Sequence, residues 1–288
     1  MSQSVGLKQI LALPILERWT PLLELAEGLS AADVPDVVVV DEYRQALMEL
    51  MKSGEGTPQQ RQHLGVVLGH LGDPRLCSPA DAAYWVKVDL GDYTLMVGKF
   101  LVTTAEWRAF IASDSYNDDS LWSEEGLKWR DSDRPSWTGL ADAPTSTHLV
   151  VPNHPVVGVS WYEAEVYARA HGARLLERDE RLRVSRGPKK RPYPWGAPFG
   201  QGNANTSEEV LGCPTAVGLY IRDCTEDGVF DLAGNVGEWT GDAVGDRRVI
   251  HPGSWEQPSM AAWAKAINFV SPAARAADLG FRLAREQE

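Results

Sequence analysis

Residues 229–242 read "VFDLAGNVGEWTGD". An apolar run, two closely spaced glycines, an Asn/Glu pair and a tryptophan fall within these fourteen positions. Glycine serves where a backbone turns sharply or must pass close to another segment. Amide and carboxylate oxygens suit either a hard cation or a polar cross-link. The stretch therefore leaves two roles open, the floor of a reactive site or the scaffold of a domain that binds without reacting. Residues elsewhere have to decide between them.

The chain has 288 residues, 43% of them hydrophobic, and a formal net charge of −12. That length suffices for one large domain, or a main domain with a smaller one. The acidic excess gives no general attraction to nucleic acid or anionic membranes, so soluble protein, peptide or small-molecule partners are expected. No run approaches the roughly 20 apolar residues of a membrane span. The longest candidate, "VPDVVVV" from Val34, is strand-length. The N-terminus, interrupted by Pro14, lacks a compact hydrophobic segment with a small-residue cleavage site, and a cytoplasmic location is expected. Cys77, Cys213 and Cys224 show no CxxC spacing, and one would be left over from any disulfide. The eleven tryptophans are expected in core or interface.

The first quarter has helical spacing: Leu16, Trp19, Leu22 and Leu23 can share a face, as can Tyr43, Leu47, Leu50 and Met51. In "TPQQRQHLGVVLGHLGDPR", Thr57, Pro58 and Gln60 form a helix start, and Leu64, Val67, Leu68 and Leu71 form the apolar stripe that follows. A helical unit is expected at 1–78. Beyond Pro79, strands are expected around Gly91 and Gly98. Thr103 with Glu106 and Ser160 with Glu163 mark two further capped helices. Trp122, Trp129 and Trp137 are expected to anchor the polar segment 112–152 to the body.

Six blocks occur in order: "NHPVVGVSWYEAEVYARAHGARLL", "YPWG", "GNANT", "GVFDLAGNVGEWTGD", "HPGSW" and "LGFRLA". Together they resemble the formylglycine-generating enzyme family over roughly residues 80–288. The resemblance implies an α+β, C-type-lectin-like domain with much irregular structure at 79–288, after the helical unit. It also implies a chemistry, in which two cysteines shortly after a "GGS[YW]" block hold copper and oxidise a sulfatase cysteine with oxygen. Gln257 and Ala262 stand at those two positions, and neither can form a thiolate for soft copper, so no copper is expected. Family members continue with "RLPTEAEWE", whereas this chain has "RLLERDERL", in which Arg178, Asp179, Glu180 and Arg181 replace the tryptophan-containing register. Relatives that form sulfur–carbon bonds on thiohistidine pathways use iron held by three histidines, two in a His-x-His pair. His63, His70, His148, His154, His171 and His251 include no such pair, so no iron is expected. No Walker loop or dinucleotide fingerprint calls for a nucleotide.

The resemblance further implies a structural calcium ion held by Asn205, Asn235 and Glu238, with polar cross-linking of the loop as the competing role. Retroelement-diversified variable proteins share this framework. Their adenine-directed changes to Asn codons cannot generate Glu256, Gln257, Met260, Trp263 or Lys265, so a relative of fixed specificity is expected. The expected function is non-catalytic binding of a protein or peptide ligand through region 254–270, using Trp255, Glu256, Gln257, Met260, Trp263 and Lys265. For Trp263 a core role competes equally. The alternative is an oxidoreductase or other enzyme of the same fold with a rearranged active site. Ser146 and His148 do not complete a nucleophile, base and oxyanion arrangement, and the basic cluster "RGPKKRP" is expected to be a solvated loop.

Overall fold

The computed structural model describes residues 3–30, 37–132, 136–137 and 148–287. Helices α1 (Gln3–Leu11), α2 (Trp19–Ser30), α3 (Val37–Ser53) and α4 (Pro58–Leu71) occupy the N-terminal quarter. At the start of α4 the Thr57 hydroxyl accepts from the Gln60 amide while the Gln60 side chain accepts from Thr57 N, with Pro58 at the first turn. Leu64, Val67, Leu68 and Leu71 are buried, as are Tyr43, Leu47, Leu50 and Met51. Two details differ from the sequence reading. Val37–Val40 open helix α3, because a short apolar run has no strand identity without a partner edge. Leu16 is 64% exposed while Trp19, Leu22 and Leu23 are buried, since it lies in a short 3₁₀ turn before α2.

The apolar core of these helices does not end at residue 78. Ala216, Leu219 and Tyr220 are buried among the same side chains. Asn153 Nδ2 donates to Gly65 O and to Asp73 Oδ2, both at 3.0 Å. Cutting the chain at 79 would expose this shared apolar face.

Among the described residues, the remainder is organised around two four-stranded sheets. In the first, β1 (Trp85–Asp89) and β2 (Thr94–Gly98) form a hairpin, with Gly91 at φ 92° in its turn. Helices α5 (Thr104–Ile111), α6 (Glu124–Arg130) and α7 (Trp161–Ala170) follow. Thr103/Glu106 and Ser160/Glu163 form reciprocal capping boxes at the starts of α5 and α7. Strand β3 (Arg174–Leu175) and helix α8 (Arg178–Arg186) come next. The second sheet contains β4 (Gly237–Val244), β5 (Arg247–His251), β6 (Asn268–Val270) and β7 (Leu279–Gly280), in the order β6-β5-β4-β7. The last strand, β8 (Leu283–Glu286), returns to the first sheet between β2 and β3.

Trp107 lies in the aromatic core, within 6.3 Å of the rings of Phe110, Tyr116, Trp137, Tyr167 and Phe281. Trp122 and Trp137 are buried, and Trp129 packs against them in part. Their indole N–H groups are satisfied by backbone, Trp122 by Tyr116 O and Trp137 by Val157 O, each at 2.9 Å. Ser146 lies outside the described residues. No helix among the described residues is long and apolar enough to cross a membrane.

Candidate functional site

In "VFDLAGNVGEWTGD" the polar side chains are turned inward and used. Asp231, with φ 58°, accepts from the amide of Gly218 at 2.7 Å. Asp223 receives the amides of Leu232, Ala233 and Gly234 at 3.0–3.1 Å. The Asn235 side chain exchanges two hydrogen bonds with the backbone of Thr215. Glycine at 234 allows this stretch to press on its neighbour: a Cβ there would lie 2.5 Å from Asn205 O. Gly253 of "HPGSW" is required for the same reason, since a Cβ would collide with the carbonyl of Ala233.

Glu238 is 1% exposed and lies between two buried arginines. Arg282 Nε donates to one carboxylate oxygen at 3.0 Å and Arg181 Nη2 to the other at 2.9 Å. Arg282 also donates to the carbonyls of Gly98, Lys99 and Phe230, tying "LGFR" to both sheets. Burial favours the neutral acid, but the two guanidiniums outweigh it and hold the Glu238 carboxyl at about 2. The three residues of the calcium expectation, Asn205, Asn235 and Glu238, lie in this network. Asn205 and Asn235 are neighbours, since Asn235 N donates to Asn205 O at 2.8 Å. The Asn235 amide is committed to Thr215, however, and the Glu238 oxygens to cations that would repel calcium. Asn235 and Glu238 thus cross-link the loop, while Asn205 Oδ1 is buried with no hydrogen-bond partner among the described residues.

Buried pairing accounts for two of the four charges at 178–181, while Arg178 and Asp179 are exposed and pair with each other. Glu180 and Arg181 are buried in α8, with Glu180 accepting from Arg174 at 2.6 and 2.8 Å and from the Tyr93 hydroxyl at 2.6 Å. Sequence reasoning missed Arg181 and Arg282 because their partner is 44 or more residues away. The only signal available was Arg282 inside the otherwise apolar block "LGFRLA"; Arg181 is one charge among many in "RLLERDERLRVSRG".

Segment 254–270 is pinned from beneath and open above. Trp255 N donates to Asn235 O, Ser207 N to Gln257 O, Ser259 N to Glu208 Oε1 and Ala264 N to Pro192 O. Ala262 is buried with Ala204 and Ala233, and Tyr193, Trp195 and Phe199 pack against them; the Tyr193 and Trp195 rings stack at 5.0 Å. Trp255 and Gln257 are half-buried, the Trp255 indole donating to Ala277 O at 3.3 Å. Glu256 and Lys265 are exposed. Met260 is 76% and Trp263 45% exposed, so Trp263 does not close the core, and its ring lies 5.8 Å from Lys265 Nζ. Ile267 and Phe269, which the sequence reading passed over, add 44% and 39% exposed apolar side chains to this segment.

The remaining candidates have structural surroundings. Burial, reinforced by Asp223 and Asp231, pushes the Cys224 thiol up to about 12, and burial raises Cys213 as well. Neither is poised as a thiolate. His63 is 2.7 Å from Glu27, a carboxylate neighbour that spacing alone did not reveal. His171 caps α7, its Nδ1 lying 2.8 Å from Tyr167 O. Lys189 and Arg191 of the basic loop both pair with Glu226.

Residues 79–287 match the sulfatase-modifying factor enzyme 1-like domain. The chain is 30% identical over 216 residues to the hercynine oxygenase of Mycolicibacterium thermoresistibile, covering 58% of this chain and 46% of that protein. It is 33% identical over 237 residues to the inactive C-alpha-formylglycine-generating enzyme 2 of Mus musculus, covering 65% and 76% respectively. The chain spans about half the length of the hercynine oxygenases it matches. Among solved structures, PvdO from Pseudomonas aeruginosa superimposes with a TM-score of 0.52 at 20% identity, over 71% of this chain and 91% of that one, which shows a shared fold. With its blocks, its α+β C-type-lectin-like architecture and most of its length accounted for in this way, the chain belongs to the family built on the sulfatase-modifying factor enzyme 1-like domain.

Proposed function

We propose that this chain is a non-catalytic binding protein on the family scaffold, recognising a protein or peptide through region 254–270. One observation carries the reading: Met260, Trp263, Ile267 and Phe269 are held in the open on a segment whose backbone is fixed from below. Apolar side chains displayed on a pinned backbone lose little conformational freedom on binding, and aromatic and Met side chains are typical anchors. Glu256, Gln257 and Lys265 supply polar contacts around them. Gln257 and Ala262, at the positions of the family's two thiols, support the loss of copper chemistry. The inactive C-alpha-formylglycine-generating enzyme 2 gives a precedent in name for a non-enzymatic relative.

The test uses the full-length chain, because the helical unit shares its core with Ala216, Leu219 and Tyr220. Affinity capture followed by calorimetry on the recovered polypeptide compares wild type with a Met260→Ser, Trp263→Ser double variant. The expected result is at least tenfold weaker binding, about 1.4 kcal/mol, with an unchanged melting temperature. Equal binding by the double variant refutes the reading.

A second reading is favoured by the match to an oxygenase: an enzyme with a rearranged site. Oxygen uptake by the full-length protein, with hercynine or a sulfatase-type cysteine peptide and added iron or copper, separates the two. Catalytic turnover of either substrate would establish the enzyme reading.

A further inference from the structure

Strand β5, helix α8 and residues 264–267 border a half-open pocket of 260 Å³. Val249, Ile250 and Ala264 line it and are buried, so they form its floor, while Leu182, Ala266 and Ile267 stand partly open around it. The volume is slightly below the ~300 Å³ at which drug-sized pockets begin, which is room for an occupant the size of a side chain.

The apolar surface continues past the pocket. Alternate positions of a strand share a face, and residues directly opposite each other on antiparallel strands lie on the same face. Arg247 and Val249 therefore leave β5 on one side, and Phe269 of β6, paired with Val249, stands on that side too. Ile267, at the rim, leads into β6 two residues before the exposed Phe269.

The unpaired charge here is positive, in a chain of net charge −12. Lys265 lines the pocket, and its ammonium meets the Trp263 ring; Arg247 reaches the Phe269 carbonyl at 3.5 Å. Neither has a carboxylate partner among the described residues. The other charges lining the pocket are already matched, Arg178 with Asp179 at 2.9 Å and Arg181 with Glu238 at 2.9 Å.

We propose that this pocket receives one apolar side chain of the polypeptide bound by region 254–270, and that acidic residues beside that side chain meet Lys265 and Arg247. The inference rests on the binding reading and specifies its partner: a segment in which an aromatic or branched aliphatic residue stands next to Asp or Glu. A small hydrophobic molecule would fill the pocket but leave Phe269 in water and both cations unpaired, whereas a polypeptide covers them as it seats its anchor. One buried anchor, ringed by contacts that exclude water, is the usual source of affinity in such interfaces. The two exposed cations add charge complementarity and make binding salt-dependent.

A random heptapeptide library displayed on phage is panned against the immobilised full-length protein. Enriched peptides are expected to place Phe, Trp, Leu or Ile beside Asp or Glu. One such peptide, synthesised with a fluorescent label, is titrated by anisotropy. Changing its apolar anchor to Ala should weaken binding at least tenfold, and so should Ala266→Phe, which sets a ring in the pocket, in a protein whose circular dichroism matches wild type. A Lys265→Glu, Arg247→Glu double variant, altered only at exposed positions, should weaken it at least tenfold and remove most of its salt dependence. No enrichment, enrichment without the anchor and acid pair, or undiminished binding by folded Ala266→Phe or by the charge-reversed variant overturns the proposal. Undiminished binding by Ala266→Phe together with loss of binding by the Met260→Ser, Trp263→Ser variant removes the pocket and leaves the binding reading in place.

Discussion

Replacing Glu238 by Ala tests the internal network most directly. The substitution leaves Arg282 with the carbonyls of Gly98, Lys99 and Phe230, but leaves Arg181 with only Leu232 O. Removing one partner of a buried ion pair costs about 3–5 kcal/mol, because the remaining charge stays desolvated. The titration behaviour gives a similar size: lowering a glutamate from 4.5 to about 2 corresponds to about 3 kcal/mol. Since the folded value is depressed, this contribution is complete above pH 4.5 and is lost as pH falls through 2. Urea denaturation with linear extrapolation should therefore show a gap of about 3–5 kcal/mol between wild type and Glu238→Ala at pH 7, shrinking toward pH 2. Calcium should leave the gap unchanged. A gap below about 1 kcal/mol at neutral pH, or one that does not shrink in acid, would refute the network as the role of this residue.

Asp223 is pushed up to about 7 by burial and by Asp231, and burial raises Glu106 to about 7. Carboxyls raised in the folded state contribute stability that is present below their unfolded values near 4 and is lost as pH rises through 7. Wild type should melt at a higher temperature at pH 5 than at pH 8, and Asp223→Asn should flatten that slope; a thermal scan across pH showing the opposite trend would count against it. Gly234→Ala should destabilise by about 1–3 kcal/mol through collision with the Asn205 carbonyl, measured by urea denaturation. Thr57→Ala should cost about 1 kcal/mol by removing the cap of α4, with no change in ligand binding. Glu256→Ala combined with Gln257→Ala should weaken partner binding at least tenfold by calorimetry while leaving the melting temperature within a degree or so.

Local chemistry was legible from the sequence alone. Thr57/Gln60, Thr103/Glu106 and Ser160/Glu163 each cap a helix because both partners lie three residues apart and need no other part of the chain. The apolar stripe of α4 and the hairpin at Gly91 follow from spacing in the same way. The order of the blocks pointed to the family and its fold. What the chain alone could not assign was the partner of any side chain acting over distance. Glu238 has the oxygens of a calcium ligand in sequence, and only folding brings Arg181 and Arg282 to it from opposite directions along the chain. Trp263 could have closed the core or faced solvent until the backbone beneath it was fixed by Pro192, Ser207 and Glu208. Capping and periodicity are short-range interactions recorded in neighbouring letters, whereas charge pairing, exposure and enclosed space depend on contacts between distant segments that tertiary packing alone creates.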